Sequence, residues 1–350
     1  MKKSIFLICF QMALGMLPSF GQTAPQSPVY LSNYTFSNGK PEIGYIKLRS
    51  GEETQIKSIS LGGEHASFFK VGKDHKLSIR KEKLLPEIHW LAIVLTVKTS
   101  AGEAKGTFRI VKDEFIRNKV IAHRGAWKNT GATENSVAAL KHAIAMGCEG
   151  SEFDVHMSSD SVLFICHDPH MQDISIAKTP AEQLLAIKLA NGETFPTLTD
   201  YLKGGCGQNK TKLILEIKAS ELGKASSIAL THKVVELVEK LQAQAWVDYI
   251  SFDYDVCKEV MKLAPYAKVA YLMGDKSPME LTQEHFFGLD YHFSVLQKNA
   301  GWIEQAQQNK LTVNCWTVND QPLMEELLKA KVDFITTNEP ELLLKLISVK

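Results

Sequence analysis

Between residues 26 and 113, apolar and polar positions alternate in short runs broken by Gly, Ser and Asn. The runs ETQIKSISL, FFKVG, HKLSIRKE, HWLAIVLTVKTS and KGTFRIVK read as strands, with turns at SNGK, RSGEE, GKD and SAGEAKG. Short strands at such close spacing predict a small all-β sandwich of immunoglobulin-like type. From about residue 117 the period changes. Apolar runs now alternate with helical stretches such as ENSVAALKHAIAMG, where Ala138, Ala139, Ala143 and Ile144 fall on related faces, as βα units require.

Nine runs of this second part read as strands: KVIAHRG, GSEFDVH, SVLFICHD, KLILEIK, DYISFD, KVAYLM, YHFSV, LTVNCWTV and DFITTN. An eightfold barrel needs one fewer. About five residues separate EFDVH from VLFICHD, whereas a parallel crossover takes a dozen or more, so these two form an antiparallel hairpin turning at SSDS. Eight strands joined by helices remain, and residues 117–350 suffice for a (β/α)8 barrel. The rival, an open doubly wound sheet, calls for a Gly-rich phosphate loop after the first strand, which HRGAWKN is not. The predicted fold class is α/β: a TIM barrel with a β-hairpin after strand 2, preceded by the small sandwich.

In such a barrel function gathers at the C-terminal ends of the strands. His123 and Arg124 end the first. Glu152 and Asp154, two apart, share one face of the second, and Glu216 and Lys218 do the same on LILEIK. His167 ends the returning hairpin arm, Trp316 comes near the end of strand seven, and Thr337 and Asn338 end strand eight. Three carboxylates from two strands suit a hard cation, Ca2+ or Mg2+ rather than zinc. Arg124 and Lys218 add positive charge opposite a phosphate, and two histidines supply an acid and a base. The set suits phosphodiester cleavage. His156 continues the face of Glu152 and Asp154 toward the barrel rim. Trp316 either lines the pocket or packs as a core indole.

Composition narrows the picture further. With 350 residues, 45% of them hydrophobic, the chain buries one large or two smaller domains. A formal charge of +1 without a long basic block excludes nucleic acid as the main partner. MKKSIFLICFQMALGMLPSFGQ has a basic start, a short apolar stretch interrupted by Gln11 and Pro18, and small residues near Gly21. It reads as a secretory signal over residues 1–21, which predicts an exported, periplasmic or secreted protein without stable membrane insertion. Cys148, Cys166, Cys206, Cys257 and Cys315 then remain, an odd number without the spacing of a disulfide framework or zinc site.

At the residues that carry this chemistry the chain resembles the glycerophosphodiester phosphodiesterase family. The resemblance rests on HRG (123–125), the pair Glu134–Asn135, E-x-D-V (152–155), HD (167–168), LEIK (215–218), WTVN (316–319) and TNEP (337–340), in order across roughly residues 119 to 343. It implies a metal-dependent hydrolysis of a small glycerophosphodiester to sn-glycerol 3-phosphate and an alcohol. Glu152, Asp154 and Glu216 would bind one divalent cation, His123 and His167 would be the acid–base pair, and Arg124 and Lys218 would contact the phosphate. Glu134 and Asn135 would hold the His–Arg loop, touch the metal site or start the helix. Departures from the family pattern are ATENS for Pro-Glu-Asn-Thr, Ser161 where Gly is usual, Glu149–Gly150–Ser151 ahead of Glu152, and a closing Thr-Asn for Thr-Asp. Residues 169–199 are short for the family's insertion, which leaves a more open mouth. A weaker resemblance ties FKVGKDHKLSIRKE…IHWLAIVLTVKTSAGEAKGTFRIV to cadherin-like repeats, and implies a structural or positioning module. Two alternatives stand beside this reading: a barrel phospholipase that cleaves phosphoinositides or lysophospholipids, for which no clear exposed apolar stripe is visible, and an inactive surface-binding barrel, for which no catalytic group is missing.

Overall fold

The structure, a computed structural model, describes residues 27–37, 39–49, 55–80 and 88–348. The secretory reading of residues 1–21 lies outside these, as do Asn38 of the SNGK turn, most of RSGEE and the Lys81–Glu82 end of HKLSIRKE. Among the described residues no helix is long and apolar enough to cross a membrane.

The first part folds into β1 (Val29–Leu31), β2 (Thr35–Phe36), β3 (Glu42–Leu48), β4 (Ile56–Gly62), β5 (Phe69–Val71), β6 (Lys76–Ile79), β7 (Trp90–Thr99) and β8 (Glu103–Lys112). They form two four-stranded sheets, ordered β1-β3-β6-β5 and β2-β8-β7-β4. Alternation is cleanest on β7, where Leu91, Ile93, Leu95 and Val97 are wholly buried. The strands β1 to β3 escape the sequence pattern because β1 and β2 are only three and two residues long, and β3 carries Gly44 and a register shift beside it.

The second part is a closed barrel of β9 (Val120–Ala122), β10 (Gly150–Met157), β14 (Lys212–Ile217), β15 (Val247–Ser251), β16 (Val269–Tyr271), β17 (Gly288–His292), β18 (Thr312–Trp316) and β19 (Phe334–Thr337). All eight run parallel, and β9 closes the ring by pairing with both β19 and β10. The arm β11 (Leu163–Ile165) pairs antiparallel with β10, Val155 opposite Ile165, as the strand count required. Its turn is tight. Ser158 N–H donates to Val162 O at 2.8 Å, and Ser161 takes φ +69°, the conformation for which Gly is the low-strain residue.

The segment after the hairpin is a small structured unit. It contains β12 (His170–Met171) and β13 (Ile174–Ser175), then the helix Ala181–Leu185. Ile176, Leu184, Leu189 and Phe195 bury themselves against Phe164 and Cys166 of the hairpin arm, in a cluster separate from the main core.

Two expectations need correction. YHFSV is a strand only in Tyr291 and His292: β17 ends at His292, and Phe293–Lys298 is helical because the His292 side chain caps it by accepting from Ser294 N–H. The helix within ENSVAALKHAIAMG spans Val137–Met146, and Ser136, not Glu134 or Asn135, caps it through Ala139 N–H. Gly147 in the left-handed region ends it. All five described cysteines are buried and free.

Ser161→Gly relieves the positive φ at the hairpin turn without removing a side-chain bond found in the structure. It should raise unfolding stability by about 0.5 kcal/mol, read as a higher thermal midpoint; a lower midpoint would mean that the Ser161 hydroxyl supports the turn.

Candidate active site

Several barrel strands deliver acidic side chains to the C-terminal end. Glu152, Asp154 and Glu216 are all buried, and one oxygen from each lies within 4.8 Å of the others. The parallel register that sets Asp154 beside Glu216 across β10 and β14 makes this cluster unavoidable. Burial first, then the charges of Asp154 and Glu216, push the Glu152 carboxyl well above the ordinary carboxylate range. Burial and the Asp154 charge raise Glu216 as well. Burial also works against ionised Asp154, but Lys218, His167, Asn135 and Arg124 together hold its carboxyl below the usual value.

Positive and donating groups surround the acids. Lys218 Nζ lies 2.8 Å from Glu216 and 3.2 Å from Asp154. Its ammonium therefore turns toward the carboxylates. Arg124 donates its backbone N–H to Glu152 at 2.8 Å, pairs through its guanidinium with Glu134 at 2.9 Å, and lies 3.8 Å from Asp154. That backbone bond needs an unusual loop: Arg124 has φ +57° and Gly125 φ +79°. A Cβ on Gly125 would come within 2.7 Å of the Ala139 backbone, so both its φ and the close approach of the first barrel helix require glycine.

The two histidines are held differently. His123 Nδ1 lies 2.8 Å from Asn338 Oδ1, and its Nε2 stands 4.0 Å from Glu152. Burial, reinforced by the Arg124 charge, pushes its pKa down to about 4, which keeps the ring neutral. His167 is more exposed. Its Nδ1 lies 2.7 Å from Asp168 Oδ1, and its backbone carbonyl meets His156 Nε2 at 3.2 Å. Both rings thus keep Nε2 clear of these Nδ1 contacts. His156, expected at the rim, is instead buried behind His167.

A pocket of about 110 Å³ opens over the acids, bordered by His123, Arg124, His167, Glu152 and Glu216 on one side. Phe252, Leu272 and Trp316 form the opposite wall. Trp316 thus borders the pocket while its indole N–H donates to Asp290 O at 2.8 Å, and its ring packs edge-on against Phe252 and His292. Three polar partners gain definite contacts here: Asn135, one of whose expected roles is to touch the metal site, Asp168, read as positioning His167, and Asn338, which the sequence places only at a strand end. Asn135 Nδ2 donates to Asp154 at 2.9 Å, Asn338 meets His123, and Asp168 meets His167. Asn135 and Asn338 each sat inside a quoted motif, but nothing in spacing alone assigns an amide to a particular carboxylate or ring.

Three desolvated carboxylates, two of them disfavoured as anions, fit a divalent cation well. Their all-oxygen donor set suits a hard ion, whose charge would offset the repulsion among them. The arrangement thus combines an acidic cluster capable of coordinating a divalent cation, two flanking imidazoles and two cations within one mouth.

A sequence profile for the Glycerophosphoryl diester phosphodiesterase family matches residues 123–342. Among curated proteins, a glycerophosphodiester phosphodiesterase from Caldanaerobacter subterraneus subsp. tengcongensis is 29% identical over 249 residues, covering 66% of this chain and 98% of that protein. A solved glycerophosphodiester phosphodiesterase from Parabacteroides distasonis is 40% identical with a TM-score of 0.65, over 67% of this chain and 98% of the other. A solved protein from Galdieria sulphuraria is 25% identical with a TM-score of 0.59, over 67% and 99%.

Glu152→Gln removes one buried charge from the cluster and keeps an acceptor for Arg124 N–H. A carboxyl raised in the folded state costs stability as pH climbs from its unfolded value toward its folded one. In chelator at neutral pH the variant should therefore melt above the parent, the gap closing as pH falls toward 4, while added Ca2+ or Mg2+ stabilises only the parent. Equal melting at all pH values, with and without cation, would contradict the charge-cluster account.

Proposed function

Since the chain belongs to the glycerophosphoryl diester phosphodiesterase family, we propose how its own residues carry out the reaction that it catalyses, hydrolysis of a glycerophosphodiester to a glycerol-3-phosphate-type product. The observation that carries the reading is the unequal support of two histidines on either side of the acidic cluster. Glu152, Asp154 and Glu216 would hold one divalent cation, Ca2+ or Mg2+. When bound, it supplies positive charge to the diester phosphate and to the carboxylates beneath it.

Arg124 and Lys218 bind the phosphate from the same side, with Lys218 swinging from the carboxylates it now pairs with. His123 starts neutral and buried, with Asn338 on Nδ1, so its Nε2 takes the proton from the attacking hydroxyl, either of water or of the glycerol moiety; in the second case the cyclic phosphate left as the alcohol departs is then opened by water. His167, with the Asp168 carboxylate on Nδ1 to balance a positive ring, gives its proton to the departing alcohol oxygen. Phe252, Leu272 and Trp316 pack against the carbon skeleton of the substrate. The product is sn-glycerol 3-phosphate with the free alcohol.

Residues 26–113 are read as an immunoglobulin-like positioning domain and 117–350 as the catalytic domain. The ion pair of Arg49 with Glu239 at 2.5 Å, which reaches from the end of β3 to the barrel's long helix Lys224–Lys240, supports a fixed relation between them. Residues 1–21 are read as a secretory signal, placing the mature enzyme in the periplasm or outside the cell. N-terminal sequencing of protein from the culture medium or periplasm tests this.

A second reading is a diester whose alcohol bears an acyl chain. Leu222 and Met273, each more than half exposed, follow β14 and β16 at the catalytic end.

Glycerophosphocholine should release glycerol 3-phosphate in a reaction that EDTA abolishes, and a lysophospholipid run in parallel ranks the two readings. His123→Ala and His167→Ala should each lower turnover of glycerophosphocholine by about 10²–10⁴-fold with cation binding retained. On a p-nitrophenyl diester, whose leaving group needs no proton, His167→Ala should recover most of its loss and His123→Ala should not. The reverse pattern would exchange the two roles, and no chelator-sensitive release from any diester would end the proposal.

A further inference from the structure

At the opposite, N-terminal end the barrel interior is not filled. A cavity of about 370 Å³ opens there, walled by Ile121, Ile214, Ile250, Phe287 and Phe334, with Ala270 leaving room on the β16 side. At the inner end stands Asp290, which is 2% exposed, and whose Oδ1 has no hydrogen-bond partner. A buried carboxylate oxygen left in this way is destabilising and points to a group that the protein itself does not supply. Trp316 uses only the Asp290 backbone carbonyl, and the Asn314 side chain hydrogen-bonds the carboxyl but leaves Oδ1 open.

The other acids of the cavity are engaged. Glu149 accepts from Lys119 N–H at 2.7 Å, Asp333 from Val313 N–H at 2.8 Å, and Asp248 pairs with Lys212 at 3.4 Å. The Lys119 ammonium donates to Val332 O at 2.7 Å. Lys268 differs: its ammonium lies 4.8 Å over the Phe287 ring, and no carboxylate among the described residues pairs with it. The cavity therefore offers an available cation at its mouth, apolar walls, and one open carboxyl oxygen, Asp290 Oδ1, at its inner end. The register that sets Ala270 beside Gly288 puts Lys268 two residues below that level and Asp290 two above. Four residues of strand span about 13 Å, part of it taken up by the two side chains.

We propose that this cavity, which meets the catalytic pocket only at Ile250 and Asp290, is a second small-molecule site that takes a linear zwitterion: a carboxylate on Lys268, an aliphatic body of about six carbons along the isoleucines, and an ammonium on Asp290. An ammonium is favoured over a hydroxyl because it pairs with the buried carboxylate and offsets its desolvation. The site does not depend on the assignment of the catalytic histidines.

Isothermal titration of the full chain with 6-aminohexanoate, hexanoate and hexylamine tests it. The expected result is saturable one-to-one binding of 6-aminohexanoate, at least about tenfold tighter than either truncated analogue, and not displaced by saturating glycerol 3-phosphate. Lys268→Met should weaken 6-aminohexanoate by about tenfold while leaving hexylamine unchanged. Ala270→Leu, which fills the wall, should abolish binding and preserve diester hydrolysis. Absence of saturable binding up to about 10 mM would show a merely solvated cavity and overturn the proposal. So would equal binding of all three compounds, or binding that ignores Lys268→Met, which decides the matter even if Ala270→Leu fails to fold.

Discussion

Repulsion among three carboxylates, one oxygen of each within 4.8 Å of the others, is the constraint on which the catalytic end of the barrel depends. Two unit charges about 4 Å apart repel by about 4 kcal/mol at an effective dielectric of 20, and here three such groups are withdrawn from water. Each neighbouring feature can be understood as a response. Lys218 touches two of the acids, Asn135 donates to Asp154, and the main chain bends into the left-handed region at Arg124 so that an amide meets Glu152. The glycine after Arg124 and the small Ala139 beneath it follow from that bend.

Most of the architecture was legible because barrels impose arithmetic on a sequence. The short interval between EFDVH and VLFICHD forced a hairpin, and subtracting its arm left eight parallel strands, as found. The acids were equally legible, since residues two apart on a strand must share a face. What escaped depended on contacts between elements remote in sequence. Asn338 reaches His123 across 215 positions, and no local pattern distinguishes it from a turn residue. His292 turned a β-prone YHFSV into a strand end and a helix cap, because one side-chain bond to Ser294 N–H outweighed the propensity of the aromatic residues. His156 looked like a rim residue by alternation, but the returning arm covers it.

The N-terminal sheets meet the barrel through mixed contacts. Beside Arg49 and Glu239, Tyr266 donates to Glu239 at 2.7 Å and packs edge-on against Tyr34 at 4.8 Å. Asn209 donates to Lys112 O at 3.0 Å, and Arg109 lies over Trp246. Interlocked rings and charges of this kind fix orientation more firmly than an apolar face alone, because a slide of a few ångströms strands a buried charge. These sheets are far from the catalytic mouth, at the end of the barrel where Lys212 and Lys268 lie.

The hairpin arm β11 has two faces with different fates. Leu163 and Ile165 belong to the main core, whereas Phe164 and Cys166 belong to the small cluster built by the segment after it. His167 follows directly on that arm, while His123 rises from a strand sealed on both sides. Small clusters open at lower free energy than the core they adjoin. One half of the proposed proton-transfer pair is thus mounted on a detachable bracket. On warming, turnover would fail while the barrel is still intact, and a lineage could retune its working temperature by repacking a handful of side chains around Phe164 without altering a single residue of the barrel wall.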